Sequence, residues 1–384
     1  MRVLVDGLSA TSYSGRHVLL GHLEQLAAVA SRQHEFFVIY HPSNTGLRRL
    51  SATNVHWIAV PEAVRDWKRR AIWQTLSLRK TIRATQADLL FNPNGTIFPG
   101  SPLPQVSLAQ NPWCLTPALH CGLRDRSKAL LQRQAYRQTV KHADLLAYNS
   151  EFMRHAYRQN AAGFRERDSL IAYQGLDDET HDAAGSLRNQ ARKQSHRILV
   201  VSVMAPWKNL ETLIDALVIL RRGGVPATLN IVGPWADAAY EQEIREKVAI
   251  ERLANHVHIT GGVTRFELYE QYAEAAVFCL LSRCESFGIP ALEAQLFGTP
   301  AVVSDGCAMP EICGTGAVAV PAGDATRAAT ALAGLLEDSN YRHEMAQAAL
   351  ENATRFRWNT CSLPLRRIFE LPAVRNSRPL KTTE

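Results

Sequence analysis

Short apolar runs, each followed by an amphipathic stretch, recur along the chain. In the first half, runs at 3–6, 36–40, 56–60, 88–91, 105–108, 144–148 and 170–172 have the length and flanks of strands. Between several of them, positions 15–30, 65–84, 125–142 and 150–159 carry the spacing of helices. This alternation predicts a largely parallel sheet covered on both faces. Over 176–196 the pattern lapses into polar residues such as Asp177-Asp178-Glu179 and Arg192-Lys193-Gln194, which predicts an inter-domain linker.

A second alternation follows at once. Strands are expected at 197–203, 229–232, 257–259, 276–281 and 301–304. Helices are expected at 210–220, 240–253, 265–275, 290–297, 324–336 and 341–356. Leu210, Leu213, Ile214, Leu217 and Leu220 mark one face of the first of these helices. Pro290 opens another and Gly298 stands just past its end, the usual asymmetry of helix termini. The expectation is two doubly wound α/β domains in tandem, 1–175 and 197–356. A tail or helix over 357–384 is expected to return to the first domain. In such sheets ligands sit outside the carboxyl ends of the strands.

Composition narrows the class. A chain of 384 residues exceeds the comfortable size of one core, and 46% hydrophobic with 21% charged residues is ordinary for a globular protein. The longest apolar run, 275–281, falls far short of the ~20 residues of a membrane span. Met1-Arg2-Val3-Leu4-Val5-Asp6-Gly7 reads as a first strand entering a turn rather than a leader, so a cytoplasmic protein is expected. Cysteines at 114, 121, 279, 284, 307, 313 and 361 form no C-x-x-C pair and no metal-ligand spacing. Charge is uneven. Residues 1–175 hold 22 Lys and Arg against 11 Asp and Glu, whereas 176–384 hold 21 against 25. A basic first half points to an anionic partner there, a membrane surface, a lipid-diphosphate acceptor or nucleic acid, or to a solvated basic face. No nucleic-acid module accompanies it. Trp67-Lys68-Arg69-Arg70, Trp73 and Arg79-Lys80 interleave aromatics and cations on one expected helix, a surface suited to peripheral contact with anionic headgroups, or to solvent.

The chemistry concentrates late in the chain. Glu285-Ser286-Phe287-Gly288-Ile289-Pro290-Ala291-Leu292-Glu293-Ala294 takes a buried strand through a short loop into a helix, followed by Gly298-Thr299-Pro300. A helix opening offers unpaired N–H groups and a positive dipole end to a phosphate, and Gly288 lets the backbone approach closely. A carboxylate as near as Glu293 suits hydroxyls, as on a ribose. Lys208, after the strand at 197–203, is a point charge able to neutralise a diphosphate.

These residues resemble the E-x7-E signature of retaining GT-B glycosyltransferases, above all family 4, the glycosyl transferases group 1. The resemblance implies two Rossmann-like domains facing a cleft. The first would bind the acceptor and the second the nucleotide-diphosphate sugar. It implies that Glu285 contacts the donor sugar and Lys208 the diphosphate. Backbone groups of Phe287, Gly288 and Ile289 would meet sugar and diphosphate, Glu293 the ribose, and Gly262 and Val263 would border the base. In the first domain it points to a glycine loop at Gly15 and Arg16. Two departures stand out: Val203 occupies a frequent arginine position, and Asn209 a glycine position. Arg283 or Arg16 is the substitute cation. Gln110-Asn111 replaces a frequent His-Asp pair, leaving Asn111 as a hydrogen-bonding candidate. With no D-x-D triplet, no metal and no cofactor beyond the co-substrate is expected. The expected activity is transfer of a hexose from a GDP- or UDP-sugar to a glycan or lipid-linked saccharide in bacterial surface polysaccharide synthesis. A nucleotide-sugar epimerase, a phosphorylase and a non-catalytic sugar-binding protein are the alternatives.

Overall fold

The structure, a computed structural model, describes residues 1–29, 33–120 and 122–371. Cys121, position 30 of the first expected helix and tail positions 372–384 lie outside them, as do the side chains of Trp67 and Lys68. The chain forms two compact units. One is Met1–Gly175 together with the described residues from Trp358 onward; the other is Leu176–Arg357.

The first unit is a seven-stranded parallel sheet. Its strands are β1 (Arg2–Asp6), β2 (Glu35–Tyr40), β3 (Val55–Ala59), β4 (Leu89–Asn92), β5 (Gln105–Ala109), β6 (Leu145–Tyr148) and β7 (Ser169–Ile171), in the order β3-β2-β1-β4-β5-β6-β7. Helices α1 (Tyr13–Val29), α2 (Trp67–Thr85), α3 (Leu123–His142) and α4 (Glu151–Asn160) connect them. Successive side chains of a strand point to opposite faces, and β1 shows the consequence. Val3 and Val5 join a core with Leu19, Leu23 and Phe91, while Leu4 joins another with Ile39, Leu78 and Leu90. Ser150 caps α4, accepting from the Met153 amide (3.2 Å), as its position before the helix predicts.

The second unit begins where a linker was expected. Residues 176–196 instead hold α5 (Asp178–Gln190) and the start of β8 (Gln194–Val201). The buried face of α5 is made of Thr180, His181 and Ala184, too polar to register as hydrophobic periodicity. The unit continues with α6 (Leu210–Arg222), β9 (Thr228–Val232), α7 (Ala238–Ile250), β10 (Val257–Gly261), α8 (Arg265–Glu274), β11 (Ala275–Leu280) and α9 (Ile289–Leu296). It closes with β12 (Ala301–Ser304), α10 (Met309–Cys313), β13 (Ala317–Val320), α11 (Ala325–Glu337) and α12 (Ser339–Thr354). The six strands are parallel, in the order β10-β9-β8-β11-β12-β13. β13, a four-residue edge strand of Ala and Val, escaped the sequence reading. β8 ends two residues earlier than expected. Its continuation at Ser202 lies against Gly233, whose φ of 133° leaves a β-carbon no room beside the Ser202 carbonyl (1.8 Å).

Residues 358–371 then rejoin the first unit. Helix α13 (Trp358–Cys361) lays the Trp358 indole on Gly21 of α1, where a β-carbon would come within 2.2 Å of the ring. Leu365 and Ile368 enter the core that holds Val3 and Phe36.

Candidate functional site

In the second unit the chain leaves β8 outward to β10 on one side and to β13 on the other, so the topological switch falls between β8 and β11. In parallel sheets of this kind a crevice opens there, beyond the carboxyl ends. The loops after β8, β10 and β11 all lie on that edge, because every pairing is parallel.

After β8, a single 3-10 turn, Pro206–Lys208, delivers Lys208 and then Asn209 at φ 58°. A left-handed backbone is the reason for glycine at such a position, and Asn is among the few other residues that tolerate it. Here Asn209 does more than tolerate it. Fully buried, it donates to the carbonyls of Leu281 (3.0 Å) and Ala322, and accepts from Thr212 (2.8 Å) and Arg283 (2.8 Å). The loop after β11 is stitched to the same turn, since Arg283 N and Ser282 Oγ both donate to the Trp207 carbonyl (2.8 and 3.0 Å). Across this stitch Lys208 Nζ donates to Glu285 Oε1, with the two side chains only 12% and 16% exposed. In such a shielded pair each charge compensates the other, and removing either leaves its partner uncompensated out of water.

Gly288 caps α9 at φ 97°, and a β-carbon there would meet Met309 Cγ at 2.9 Å. The start of α9 follows Glu285 by four residues, and within its first turn the Ala291 and Leu292 amides turn back to the Gly288 carbonyl (3.0 and 3.3 Å). Phe287 turns inward, edge-on to Phe356 (5.9 Å), and anchors the loop. The Ala308 amide donates to the Glu285 carbonyl (3.2 Å) and holds the loop from behind. Further along α9, Glu293 accepts from the Tyr272 hydroxyl (2.8 Å), and burial pushes its carboxyl up to about 7. Gly262 and Val263 follow β10 directly, between Gly261 at φ 73° and the capping box of Thr264 and Glu267 that opens α8.

The sequence reading missed Tyr272, which carries no flag within a helical pattern, and the structural work of Asn209. Val203 is half-exposed, so no cation stands at that position. Arg283 is held beside the Lys208 turn by Asn209 and, at 3.3 Å, by Glu211. Among the described residues no group of three or more His, Cys, Asp or Glu could hold a metal ion.

The first-unit candidates are locally engaged. Gly15 lies inside α1 rather than in a loop before it, its amide donating to Ser12 Oγ (3.1 Å). The Arg16 guanidinium donates to the Thr11 carbonyl (2.6 Å) and packs on Gly46. Asn111 Oδ1 accepts from the Trp113 amide (3.0 Å), a turn-forming role. A buried polar cluster was overlooked. Asp6, at the carboxyl end of β1, accepts from the Leu8 amide (2.9 Å), Asn94 (3.2 Å) and Gln74 (3.4 Å), and burial raises its pKa.

Residues 186–352 match the family model of glycosyl transferases group 1. The second unit is a glycosyl transferases group 1 domain. The phosphatidyl-myo-inositol mannosyltransferase of Mycobacterium leprae is 31% identical over 176 residues, 45% of this chain and 46% of that protein. The GDP-mannose-dependent alpha-(1-6)-phosphatidylinositol monomannoside mannosyltransferase of Mycobacterium tuberculosis is 29% identical over 250 residues, 61% of this chain and 63% of that protein. The chain thus spans about half to just under two thirds of these curated relatives. Among solved structures, the sucrose-phosphate synthase of Thermosynechococcus elongatus superposes with a TM-score of 0.75 at 15% identity, covering 96% of this chain and 98% of that one. WaaG, a glycosyltransferase involved in lipopolysaccharide biosynthesis, does so with 0.69 at 18% identity, covering 97% and 100%. The fold is that of the GT-B glycosyltransferases. In this group 1 domain Lys208 and the start of α9 lie on one edge of the sheet, and the family match spans both.

Proposed function

We propose that the chain is a retaining glycosyltransferase that moves a hexose from a nucleotide-diphosphate sugar to a glycan or lipid-linked saccharide, in bacterial surface polysaccharide synthesis. The observation that carries this reading is the shielded Lys208–Glu285 pair at the switch point, beside the opening of α9. A diphosphate arriving there exchanges water for the lysine and for the helix amides, both of which stabilise the negative charge that builds on the departing nucleotide. Glu285 is then left to accept from hydroxyls of the donor sugar. It acts as a positioning carboxylate, and the departing phosphate takes the acceptor's proton on the same face of the sugar. Glu293 holds the ribose, and the main chain of Gly262 and Val263 borders the base. In the first unit, Gly15, Arg16 and Asn111 serve the acceptor and phosphate side.

Both relatives described above are named as mannosyltransferases of inositol lipids, which favours GDP-mannose and an acceptor at a lipid surface. The first unit suits that surface. Its α2 exposes Ile72 and Leu76 among Arg69, Arg79, Lys80 and Arg83, and its α3 exposes Leu123, Leu130 and Leu131 among Arg124, Arg126 and Lys128. Among the described residues no helix is long and apolar enough to cross a membrane. A thermal-shift panel of GDP-, UDP- and dTDP-sugars tests the donor, with stabilisation by at least one expected. Release of nucleotide only when acceptor is present is the expected signature of transfer. Interconversion of the free sugar nucleotide would overturn it in favour of an epimerase.

A further inference from the structure

Tyr272, on α8, is fully buried and held on three sides. Its ring stacks on Phe297 (centroids 5.7 Å, 29°) and lies against Phe278 (6.4 Å). Its carbonyl accepts from Thr299 Oγ1 (2.7 Å). The ring cannot swing without opening this packing, so its hydroxyl is a donor fixed in space. That donor points at Glu293 Oε2, 2.8 Å away. An ionised carboxylate is acceptor-only and offers about four lone-pair sites, of which the phenol takes one. The rest suit the two neighbouring hydroxyls of a ribose. A protonated carboxyl would itself bring a donor and lose acceptor capacity.

We infer that Tyr272 is a positioning residue for the donor nucleotide: its hydroxyl aims the Glu293 carboxylate and holds it in the charged form that accepts from ribose hydroxyls. The inference deepens the proposed function and rests on it, since it takes Glu293 to face the nucleotide. Other groups around Glu293 leave this task to Tyr272. Arg265 of α8 favours the charge, but its guanidinium is already divided between Asp177 (2.9 Å) and Thr180 (2.8 Å), and the Asp177 carboxylate at the head of α5 opposes it. From α12 the neutral Asn352 bonds to Gln295 of α9 (2.8 Å). Burial works against ionisation and brings the Glu293 carboxyl up to about 7, with the Tyr272 bond as the largest force pulling it back. The sign follows. Donor affinity is half-maximal at about 7, rises to its full value as the carboxyl loses its proton above it and falls as the carboxyl takes its proton below it, and removing the phenol moves that midpoint upward.

The experiment is calorimetric titration of the full chain with GDP-mannose and with UDP-glucose between pH 6 and 8.5. Their diphosphates are diesters with no group titrating in that window. Wild-type affinity is expected to drop about 10-fold from pH 8 to pH 6, the loss of the ionised fraction of one group. Tyr272→Phe should bind about 5-fold more weakly at pH 7, with its midpoint moved up by about one unit and the donor KM raised far more than kcat is lowered. Glu293→Gln should bind weakly at every pH with a flat profile. If Glu293→Gln weakens binding while Tyr272→Phe keeps the wild-type affinity and profile, this inference fails alone. If Glu293→Gln binds like wild type, or neither probe binds, the nucleotide reading itself fails. A carbon-13 titration of the Glu293 carboxyl in the wild-type chain needs no variant. Its midpoint should lie near 7 and fall on donor binding; one in the ordinary carboxylate range, unmoved by donor, overturns the inference.

Discussion

Lys208 and Glu285 sit on different loops, 77 positions apart, yet neither is placed to act without the other. Removing Lys208 leaves a shielded carboxylate uncompensated, and removing Glu285 leaves the ammonium so. Lys208→Ala and Glu285→Ala are each expected to lower turnover at least ~10-fold, the loss of about 1.4 kcal/mol of transition-state stabilisation. The double variant should cost much less than the two single losses combined, as partners in one contact do. Steady-state kinetics on the three variants checks both points, and wild-type turnover in either single variant would discredit the site. Asn209 gives a stability prediction at the same scale. Asn209→Ala puts an alanine at φ 58° and strips two buried carbonyls of their donor, for an expected loss on the order of 2–4 kcal/mol. Asn209→Gly keeps the backbone at ease and should lose less. Denaturant titration ranks them, and equal losses would show that the side chain's bonds and not the backbone decide this position.

At the scale of elements, two glycines inside helices predict opposite outcomes for one substitution. Gly21 of α1 is where Trp358 lands, so Gly21→Ala must push the indole away and should destabilise by about 1–3 kcal/mol. Gly185 of α5 faces open space, so Gly185→Ala should stabilise by roughly 0.5–1 kcal/mol through helix propensity alone. Melting curves read both, and a stabilised Gly21→Ala would mean that α13 is not seated on α1. Elements also show what could be read in advance. Strands such as Ala301–Ser304 announce themselves because apolar runs buried on both faces have no polar interruption. α5 did not, since its inward face is Thr180, His181 and Ala184, with Thr180 hydrogen-bonded to Tyr269 (3.0 Å) rather than packed by methyl groups. The same limit applies to the candidate site. Glu285, Glu293 and Lys208 were singled out through the resemblance to a family motif, whereas Tyr272 meets Glu293 through a contact between helices that no local pattern encodes. Gly15, Arg16 and Asn111 were legible only as positions, and local hydrogen bonds take up their polar groups.

In the whole molecule, each unit repeats one plan: strands outward from a central first strand, then back across to the other side. The second unit is continuous in sequence, and its ends meet, with the Leu176 amide donating to the Phe356 carbonyl (2.8 Å) and Leu176 bridged to Arg357. The first unit is not continuous. His17 there donates to the Gly175 carbonyl (3.2 Å) and lies edge-on to Trp358 (5.1 Å), so the chain leaves and re-enters at one spot. A chain cut after Arg357 should keep the melting transition of the second unit and its response to nucleotide sugars. The first unit, with Leu365 and Ile368 gone from its core, should melt lower or not cooperatively. Calorimetry separates the two, and an unchanged first transition would show that the returning segment is dispensable.

That return also sets an order in time. During synthesis the ribosome delivers Met1–Gly175 first, then every residue of the second unit, and only afterwards the segment that fills the groove over Gly21. Nascent α1 therefore waits with Leu19, Leu23 and Leu26 partly uncovered while a whole neighbouring domain is made and can fold. The unit that starts first finishes last, and its window of exposure lengthens whenever translation of the middle of the message slows.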